Sequence, residues 1–315
     1  MNTLVRCCGL LLVLLTSLFF VKYALDNWSL IAGSLIYADT LPSVLAGLFC
    51  YLNAFLISAI AWHLLLRAVG ASPRLPEVLT ALLLSQFAKY LPGNVGQHIS
   101  RAVLAHKMGL TNASIAVTMV LEILLVILAA GGTGLLALWL NNSLLLSNLP
   151  QLATPGKIAL LCLLALALPA GLWLAKSFGL KRLAARFGIT SVSLPRPPCL
   201  LACYLLYSVN FLIMGLILYL LMAAFGGGPE TDFWLLTGVF SLAWIAGFIT
   251  PGAPAGIGLR EAVLVATLDP LYGSAMALSL AMALRLITTL GDGLGFLIGM
   301  ALRQWLKRNP RRVIN

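Results

Sequence analysis

The sequence predicts an all-α polytopic membrane protein with about six full spans, two pairs of half-helices broken at Pro-Gly, and an inverted-topology repeat. Of the 315 residues, 61% are hydrophobic and 9% are charged, whereas charged residues make up about 25% of a soluble domain. Several apolar runs reach the roughly 20 residues that a helix needs to cross a bilayer. Two shorter runs are each interrupted by Pro-Gly, with an arginine nine residues after the proline.

The full spans follow from the long apolar runs. They are expected at about 4–25, 42–67, 113–140, 157–176, 199–224 and 274–302. The first run follows Arg6 and resembles a signal peptide, but no clean A-x-A site follows it. We therefore expect an uncleaved first span.

The broken pairs follow from four short apolar pieces. They lie at 78–91 and 95–110, and at 233–250 and 255–268. A helix of 14 residues is only about 21 Å long, which is less than the thickness of the hydrocarbon core. Each pair is expected to be either a re-entrant hairpin of half-helices or two broken spans.

The positive residues set the orientation. The link at 176–196 and the tail at 303–312 are rich in Lys and Arg, whereas the link at 141–156 has no charge. Basic links face the cytoplasm, so both termini are expected there, in the bacterial cytoplasmic (inner) membrane.

With this orientation, the first Pro-Gly pair enters from the cytoplasm and the second from outside. Opposite insertion of similar elements is typical of an inverted-topology repeat. The chain is therefore expected to form a single integral membrane domain, 1–315, with repeat halves of approximately 42–140 and 199–302.

The two breaks read "LPGNVGQHISR", from Leu91, and "TPGAPAGIGLR", from Thr250. Glycines permit the sharp reversals; those expected at the site are Gly93, Gly252, Gly256 and Gly258. Non-helical backbone persists in a membrane where protein or a water-filled cavity covers it. The half-helix after each break presents free N–H groups and a positive dipole end, which attract anions such as phosphate.

Arg101 and Arg260 lie at equivalent positions after the two breaks. A guanidinium offers a planar fork that binds phosphate through two hydrogen bonds. The two breaks are therefore expected to build a polar cavity for an anionic group. The alternative is that Pro-Gly forms simple turns and that each arginine extends to the lipid headgroups.

Other ionisable residues within the apolar segments are candidates for the same site. They are Glu122, Arg285 and Asp292 within the long spans, and Lys89, His98 and Glu261 beside the breaks. Such residues are costly in a membrane and mark substrate or proton pathways, or pair with one another. The structural alternatives are a pair of Glu122 with an arginine and a pair of Arg285 with Asp292.

Other functions are disfavoured by what the sequence lacks. It contains no GxSxG, Walker A or HExxH motif and only nine acidic residues, so no catalytic residues, metal or cofactor are expected. The net charge of +11 resides mainly in short links and the tail, where it orients the chain, so no nucleic-acid partner is expected. The six cysteines lie in or beside apolar runs without a CxxC spacing and are expected to pack as small hydrophobes.

Two stretches carry a family resemblance. "KYLPGNVGQHISRAVLAHKMGL", followed by an acid in the next span, and "TPGAPAGIGLREAVLVATL" resemble the lysylphosphatidylglycerol synthase transmembrane-region family of flippase-like proteins. The resemblance runs from about 40 to 300. The sequence has no soluble aminoacyltransferase half, so a stand-alone member without lysyl transfer is expected.

The resemblance implies a lipid translocase that moves an anionic phospholipid or a polyprenyl-linked phosphate headgroup between leaflets. Membrane lipid is then the main partner, with envelope-biosynthesis enzymes and a second copy of the chain as expected protein partners. Two alternatives stay open. One is an ion- or proton-coupled transporter of small anions, with Glu122 or Asp292 as the proton site. The other is a membrane-embedded lipid-phosphate transferase, with Glu122 or His98 as base.

Overall fold

The computed structural model describes residues 40–90, 96–140, 195–228, 231–249, 256 and 258–309. The expected spans at 4–25 and 157–176, and most of the basic link between 176 and 196, lie outside those residues. Regular structure in the described part is entirely helical, with no strand. The predicted all-α class is confirmed there.

Eight α-helices make up the described part. In chain order they are α1 (Leu41–Ala68), α2 (Leu75–Gln86), α3 (Gly96–Lys107), α4 (Asn112–Leu140), α5 (Pro197–Ala224), α6 (Phe233–Ile249), α7 (Leu259–Tyr272) and α8 (Ser274–Arg308). A 3₁₀ turn, Phe87–Tyr90, continues α2 up to the first break.

The four long helices, α1, α4, α5 and α8, coincide with four of the predicted spans. Each contains an apolar stretch long enough to cross a membrane. Helix α8 has 35 residues and is therefore about 52 Å long. It exceeds the hydrocarbon thickness of about 30 Å, so its basic last turn, with Lys307 and Arg308, extends beyond the apolar core. The chain is an integral membrane protein.

The four short helices flank the two breaks, where the sequence predicts interruptions. Helices α2 and α3 lie on either side of the first break, and α6 and α7 on either side of the second. The longest of them, α6, has 17 residues, or about 26 Å. Whether each pair returns to its own side or crosses as a broken span stays a prediction.

The helix ends repeat between the two halves. Gly70 follows α1 and Gly226 follows α5, with φ of 89° and 80°. Gly109 follows α3 and Gly273 follows α7, with φ of 84° and 82°. Glycine adopts this left-handed conformation without steric cost, which is why it commonly ends helices. Three of these ends are closed in the same way, because the N–H groups of Gly70, Gly109 and Gly226 each donate to the carbonyl three residues earlier. The Gly273 N–H instead donates to the carbonyl of Asp269, four residues earlier.

The packing of the helices is also unchanged when the two halves are exchanged. Helix α1 packs on α5, α2 on α8, and α6 on α4. The pair α1–α2 matches α5–α6, the pair α2–α3 matches α6–α7, the pair α3–α4 matches α7–α8, and the pair α1–α8 matches α5–α4. These matched pairs support the predicted repeat, whose superposition stays a prediction.

The bundle buries large side chains inside and shows apolar side chains outside. Trp62 and Tyr207 are among the largest fully buried residues. Phe49, Leu201 and Leu297 are more than half exposed. In water such a surface would be an aggregation liability, whereas in a bilayer it faces acyl chains.

Candidate functional site

A cavity of about 270 Å³ lies among the helices, and all eight of them contribute to its wall. This volume is near the lower end of the range for small-molecule sites, roughly 300–1,000 Å³. One part of the wall is aromatic and comes largely from α5 and α6, including Phe211, Phe240, Trp244 and Phe248. The charged part comes from the ends of the half-helices and from α4 and α8. The cavity is therefore amphipathic and close to the size of a small-molecule site.

Beside the first break, directly behind the cavity wall, a polar network is built around Asp292 of α8, whose side chain is fully buried. Lys89 Nζ lies 2.7 Å from one of its carboxylate oxygens. Tyr51 OH donates to Asp292 Oδ1 at 2.9 Å and Tyr90 OH donates to Asp292 Oδ2 at 2.5 Å. Lys89 Nζ also donates to Tyr51 OH at 3.2 Å. Lys89 and Tyr90 thus attach the end of the first half-helix to α8, and Tyr51 attaches α1 to the same carboxylate.

Gly291 leaves the space through which Tyr51 reaches this network. A Cβ at Gly291 would lie 2.2 Å from Tyr51 Cδ1, which is far inside van der Waals contact. The absent side chain lets the Tyr51 ring pass across α8 and reach the neighbouring Asp292.

Beyond the first break, Arg101 of α3 forms a two-pronged ion pair with Glu122 of α4. Its Nη1 and Nη2 donate to the two carboxylate oxygens at 2.9 and 2.6 Å. The guanidinium also lies over the Trp62 ring, 4.6 Å from the centroid, where a cation is attracted to the aromatic face. Both side chains of the pair are about nine-tenths buried. Glu122 reaches the cavity wall, with Arg101 behind it.

At the second break, Glu261 of α7 serves two partners. Its Oε2 accepts a hydrogen bond from the backbone N–H of Gly258 at 2.7 Å, so it caps the helix amino terminus that the sequence predicts as an anion site. Its Oε1 lies 3.6 Å from Arg285 Nε of α8. Gly258 has a φ of 88°, and this conformation places its N–H over the carboxylate.

Arg260 lies in the cavity wall between close backbone segments. A Cβ at Gly247 would be 2.6 Å from its Cγ, and a Cβ at Gly256 would be 2.7 Å from its Nε. Its guanidinium carbon is 5.8 Å from the centroid of the Trp244 ring. Among the described residues, no hydrogen-bond partner reaches its buried Nε.

Of the predicted site residues, six side chains meet at or directly behind the cavity. They are Arg101, Glu122, Arg260, Glu261, Arg285 and Asp292. Gly256 and Gly258 lie beside Arg260 and Glu261, with positive φ. Gly93 and Gly252 lie outside the described residues.

The ion pairs of Asp292 and of Arg285 differ from the expected pairing of these two residues with each other. The expected alternative paired Arg285 with Asp292, but the salt-bridge partner of Asp292 is Lys89 and Glu261 lies next to Arg285. Arg101 is held by Glu122, as the structural alternative for that acid predicts. A direct contact of Arg101 with an anion stays a prediction.

Several residues of the site were not singled out from the sequence. They are Tyr51, Trp62, Tyr90, Tyr207, Asn210, Trp244 and Gly247. Lys89 was predicted from the sequence as a possible structural partner beside the first break, because a lysine in an apolar half-helix needs a buried partner, but its partner Asp292 was not. The aromatic residues carried no such signal, since tyrosine and tryptophan in a membrane protein usually indicate interfacial anchors rather than a site.

The chain was also compared with known proteins. The family model described as "Lysylphosphatidylglycerol synthase TM region" matches residues 8–294, which is most of the chain. No curated protein matches significantly. In the described part, no group of His, Cys, Asp and Glu residues could hold a metal ion.

Proposed function

Because the chain belongs to the lysylphosphatidylglycerol synthase transmembrane-region family, we propose that it is a translocase for an anionic lipid. In this proposal it moves the headgroup of an anionic phospholipid or of a lipid-linked phosphate between leaflets. Membership of the family supports a lipid-related role in the membrane, and the cavity supports the finer assignment.

The observation that carries the proposal is a small cavity with cationic side chains inside an apolar bundle. Lys89, Arg260 and Arg285 all reach its wall, from the first break, the second break and α8 respectively. Cations within a membrane are costly unless they serve a pathway or a pair. A phosphate entering this cavity would meet charges contributed by both halves of the chain.

The shape of the cavity fits the headgroup of a lipid better than the whole molecule. Its volume of about 270 Å³ holds a polar headgroup, while the acyl chains would remain against the exposed apolar side chains of the bundle. Arg260 offers the fork that binds two phosphate oxygens. The stacked rings of Trp244 and Phe248, with centroids 5.0 Å apart, provide an apolar surface beside it.

The pairing of the acids favours lipid movement over the two alternatives. Glu122 receives two hydrogen bonds from Arg101, and Asp292 receives donors from two tyrosines and Lys89. Both carboxylates are thus engaged as partners of buried cations, and releasing either one to act as a proton site or base would leave a buried charge unpaired. A transferase with His98 as its base stays the second candidate, because His98 also reaches the cavity wall.

The proposal is tested in proteoliposomes that contain fluorescent lipids with anionic or zwitterionic headgroups. A membrane-impermeant quencher reports how much lipid reaches the inner leaflet. Wild type is expected to accelerate movement of the anionic lipid over protein-free vesicles. Uptake of a soluble anion without lipid movement would support the transporter instead, and a new lipid product would support the transferase.

The matched variants are Arg260→Lys and Arg303→Lys. Lysine keeps the positive charge but lacks the fork, so Arg260→Lys should lose one charged hydrogen bond, worth about 1.5–3 kcal/mol, and weaken lipid binding roughly ten- to a hundredfold. Arg303 is exposed on the last turns of α8, so its variant should behave like wild type. Equal activity of all three proteins would remove Arg260 from the mechanism.

A further inference from the structure

The charged side chains at the cavity, and those directly behind it, do not balance. The cations are Lys89, Arg101, Arg260 and Arg285. The carboxylates are Glu122, Glu261 and Asp292. Four positive and three negative charges leave one positive charge in excess among the described residues.

The excess belongs to Arg260, because each carboxylate already lies next to another cation. Asp292 is 2.7 Å from Lys89 and Glu122 is 2.6 Å from Arg101. Glu261 is 3.6 Å from Arg285. Within the described part of the chain no carboxylate forms an ion pair with Arg260, and its buried Nε has no hydrogen-bond partner there.

The sequence around the breaks offers no further countercharge. Residues 91–95 read LPGNV and residues 250–255 read TPGAPA, so neither stretch contains a charged side chain. The other described acids are engaged or lie outside the cavity. Glu77 pairs with Arg74, Asp232 caps the amino terminus of α6, and Asp269 is exposed.

An isolated charge in a medium of low dielectric constant is costly, and a single opposite charge removes most of that cost. We propose that the cavity selects one group with a single negative charge, that is, a phosphodiester whose remaining headgroup is uncharged. This inference rests on the proposed function and names its substrate class. A phosphomonoester carries about −1.5 to −2 at pH 7 and leaves excess negative charge, while a zwitterionic headgroup leaves Arg260 unbalanced.

Arg260 is built into this position. Gly247 and Gly256 leave no room for a Cβ beside its side chain, and Trp244 lies beside its guanidinium. Tyr207 OH and Asn210 Oδ1 also lie in the cavity wall, buried and without a partner among the described residues. One donor and one acceptor are thus available to the uncharged, hydroxyl-bearing part of such a headgroup.

The test compares the retained lipid with the translocated lipid. Delipidated protein is incubated with equal amounts of phosphatidylglycerol, phosphatidic acid and phosphatidylethanolamine at pH 8, and native mass spectrometry reports the bound lipid. Translocation of each lipid is measured separately in proteoliposomes. We expect wild type to retain phosphatidylglycerol at least about tenfold over either competitor, the effect of one unpaired charge or one lost charged hydrogen bond.

Two variants change the charge in opposite directions. Glu261→Gln keeps an oxygen for the Gly258 N–H but raises the excess to two, so retention should shift towards phosphatidic acid. Arg260→Gln lowers the excess to zero, so phosphatidylethanolamine should compete equally. Asp269→Asn, at an exposed position of α7, is the control and should retain the wild-type preference. Monodisperse elution of every variant checks its folding.

The outcomes separate this inference from the proposed function. Lipid movement without any headgroup preference, or a preference that Glu261→Gln leaves unchanged, overturns the charge selection and leaves the translocase standing. Selective retention of phosphatidylglycerol without movement contradicts the translocase and supports the charge selection. A parallel incubation with glycerophosphoglycerol, which has no tails, distinguishes the source. If the protein retains glycerophosphoglycerol in place of phosphatidylglycerol, the site binds a soluble phosphodiester and the assignment of a lipid substrate is overturned. Retention of phosphatidylglycerol supports the lipid substrate.

Discussion

Neutralising Asp292 should destabilise the protein more than any other single change of charge in the network at the first break. Its carboxylate is fully buried and accepts from Tyr51, Tyr90 and Lys89. Asp292→Asn keeps the volume but leaves the ammonium of Lys89 without a countercharge. Removing one partner of a buried ion pair costs about 3–5 kcal/mol, so we expect a loss of that size in the free energy of unfolding.

A double-mutant cycle assigns this cost to the ion pair. Lys89→Met removes the cation and retains a long apolar side chain. Because the double variant leaves no unpaired charge, its loss should be smaller than the sum of the two single losses by about 1–3 kcal/mol. Asp269→Asn, which changes an exposed carboxylate, is the control and should stay within about 0.5 kcal/mol of wild type.

The assay is reversible unfolding in mixed micelles with increasing SDS, followed by circular dichroism. Additive losses in the double variant would show that Lys89 and Asp292 do not interact energetically. A loss for Asp292→Asn no larger than that of the control would refute the reasoning as a whole.

Three further predictions follow from the cavity and the topology. Gly247→Ala places a Cβ 2.6 Å from Arg260 Cγ, so it should displace that side chain and reduce anionic-lipid movement roughly tenfold. Gly131→Ala has open space and should leave movement unchanged; equal activities would refute the close fit. On a cysteine-free background, a cysteine at Asn142 should react from outside and one at Arg186 from the cytoplasm, and external reaction at Arg186 would overturn the orientation. The two halves should superpose after a half-turn about an axis in the membrane plane, and an experimental structure with both breaks entering from one face would contradict this.

The sequence was informative about the fold because membrane helices are determined by local quantities. Length and apolarity alone located the four long described helices, since an apolar run of that length has few alternatives in a bilayer. Pro-Gly located the two interruptions, because proline removes a backbone donor and glycine permits the reversal. Helix α1, expected at 42–67, is observed at Leu41–Ala68, whereas α8, expected to end at 302, continues to Arg308.

The partners within the site were harder to predict, because they depend on distances across the bundle. Lys89 and Asp292 are 203 residues apart, and no local pattern brings them together. Arg285 and Asp292 share a helix face, which made their pairing attractive, but cations and acids from other helices are closer. The pair of Arg101 with Glu122 spans 21 residues and was accessible as an alternative, because α3 and α4 are adjacent in the chain.

The ion pairs beside the two breaks connect corresponding helices, but their acidic and basic residues are exchanged. In each half, an ion pair joins the helix after the break to the next long helix. In the first half the arginine is on the short helix and the acid, Glu122, on the long one. In the second half the acid, Glu261, is on the short helix and Arg285 on the long one. Either order of the signs gives a neutral link, so the two ion pairs can join the short helix to the long one equally well.

The exchanged signs of the two ion pairs determine which arginine is left without an acidic partner at the cavity. The first half uses its arginine after the break in the ion pair, whereas the second half uses Glu261 and leaves the adjacent Arg260 without an acidic partner among the described residues. Among the described residues, the unbalanced positive charge therefore lies at the second break. An anionic headgroup should therefore bind closer to α7 than to α3, and a translocation pathway through the bundle would have its main anion contact beside the second break.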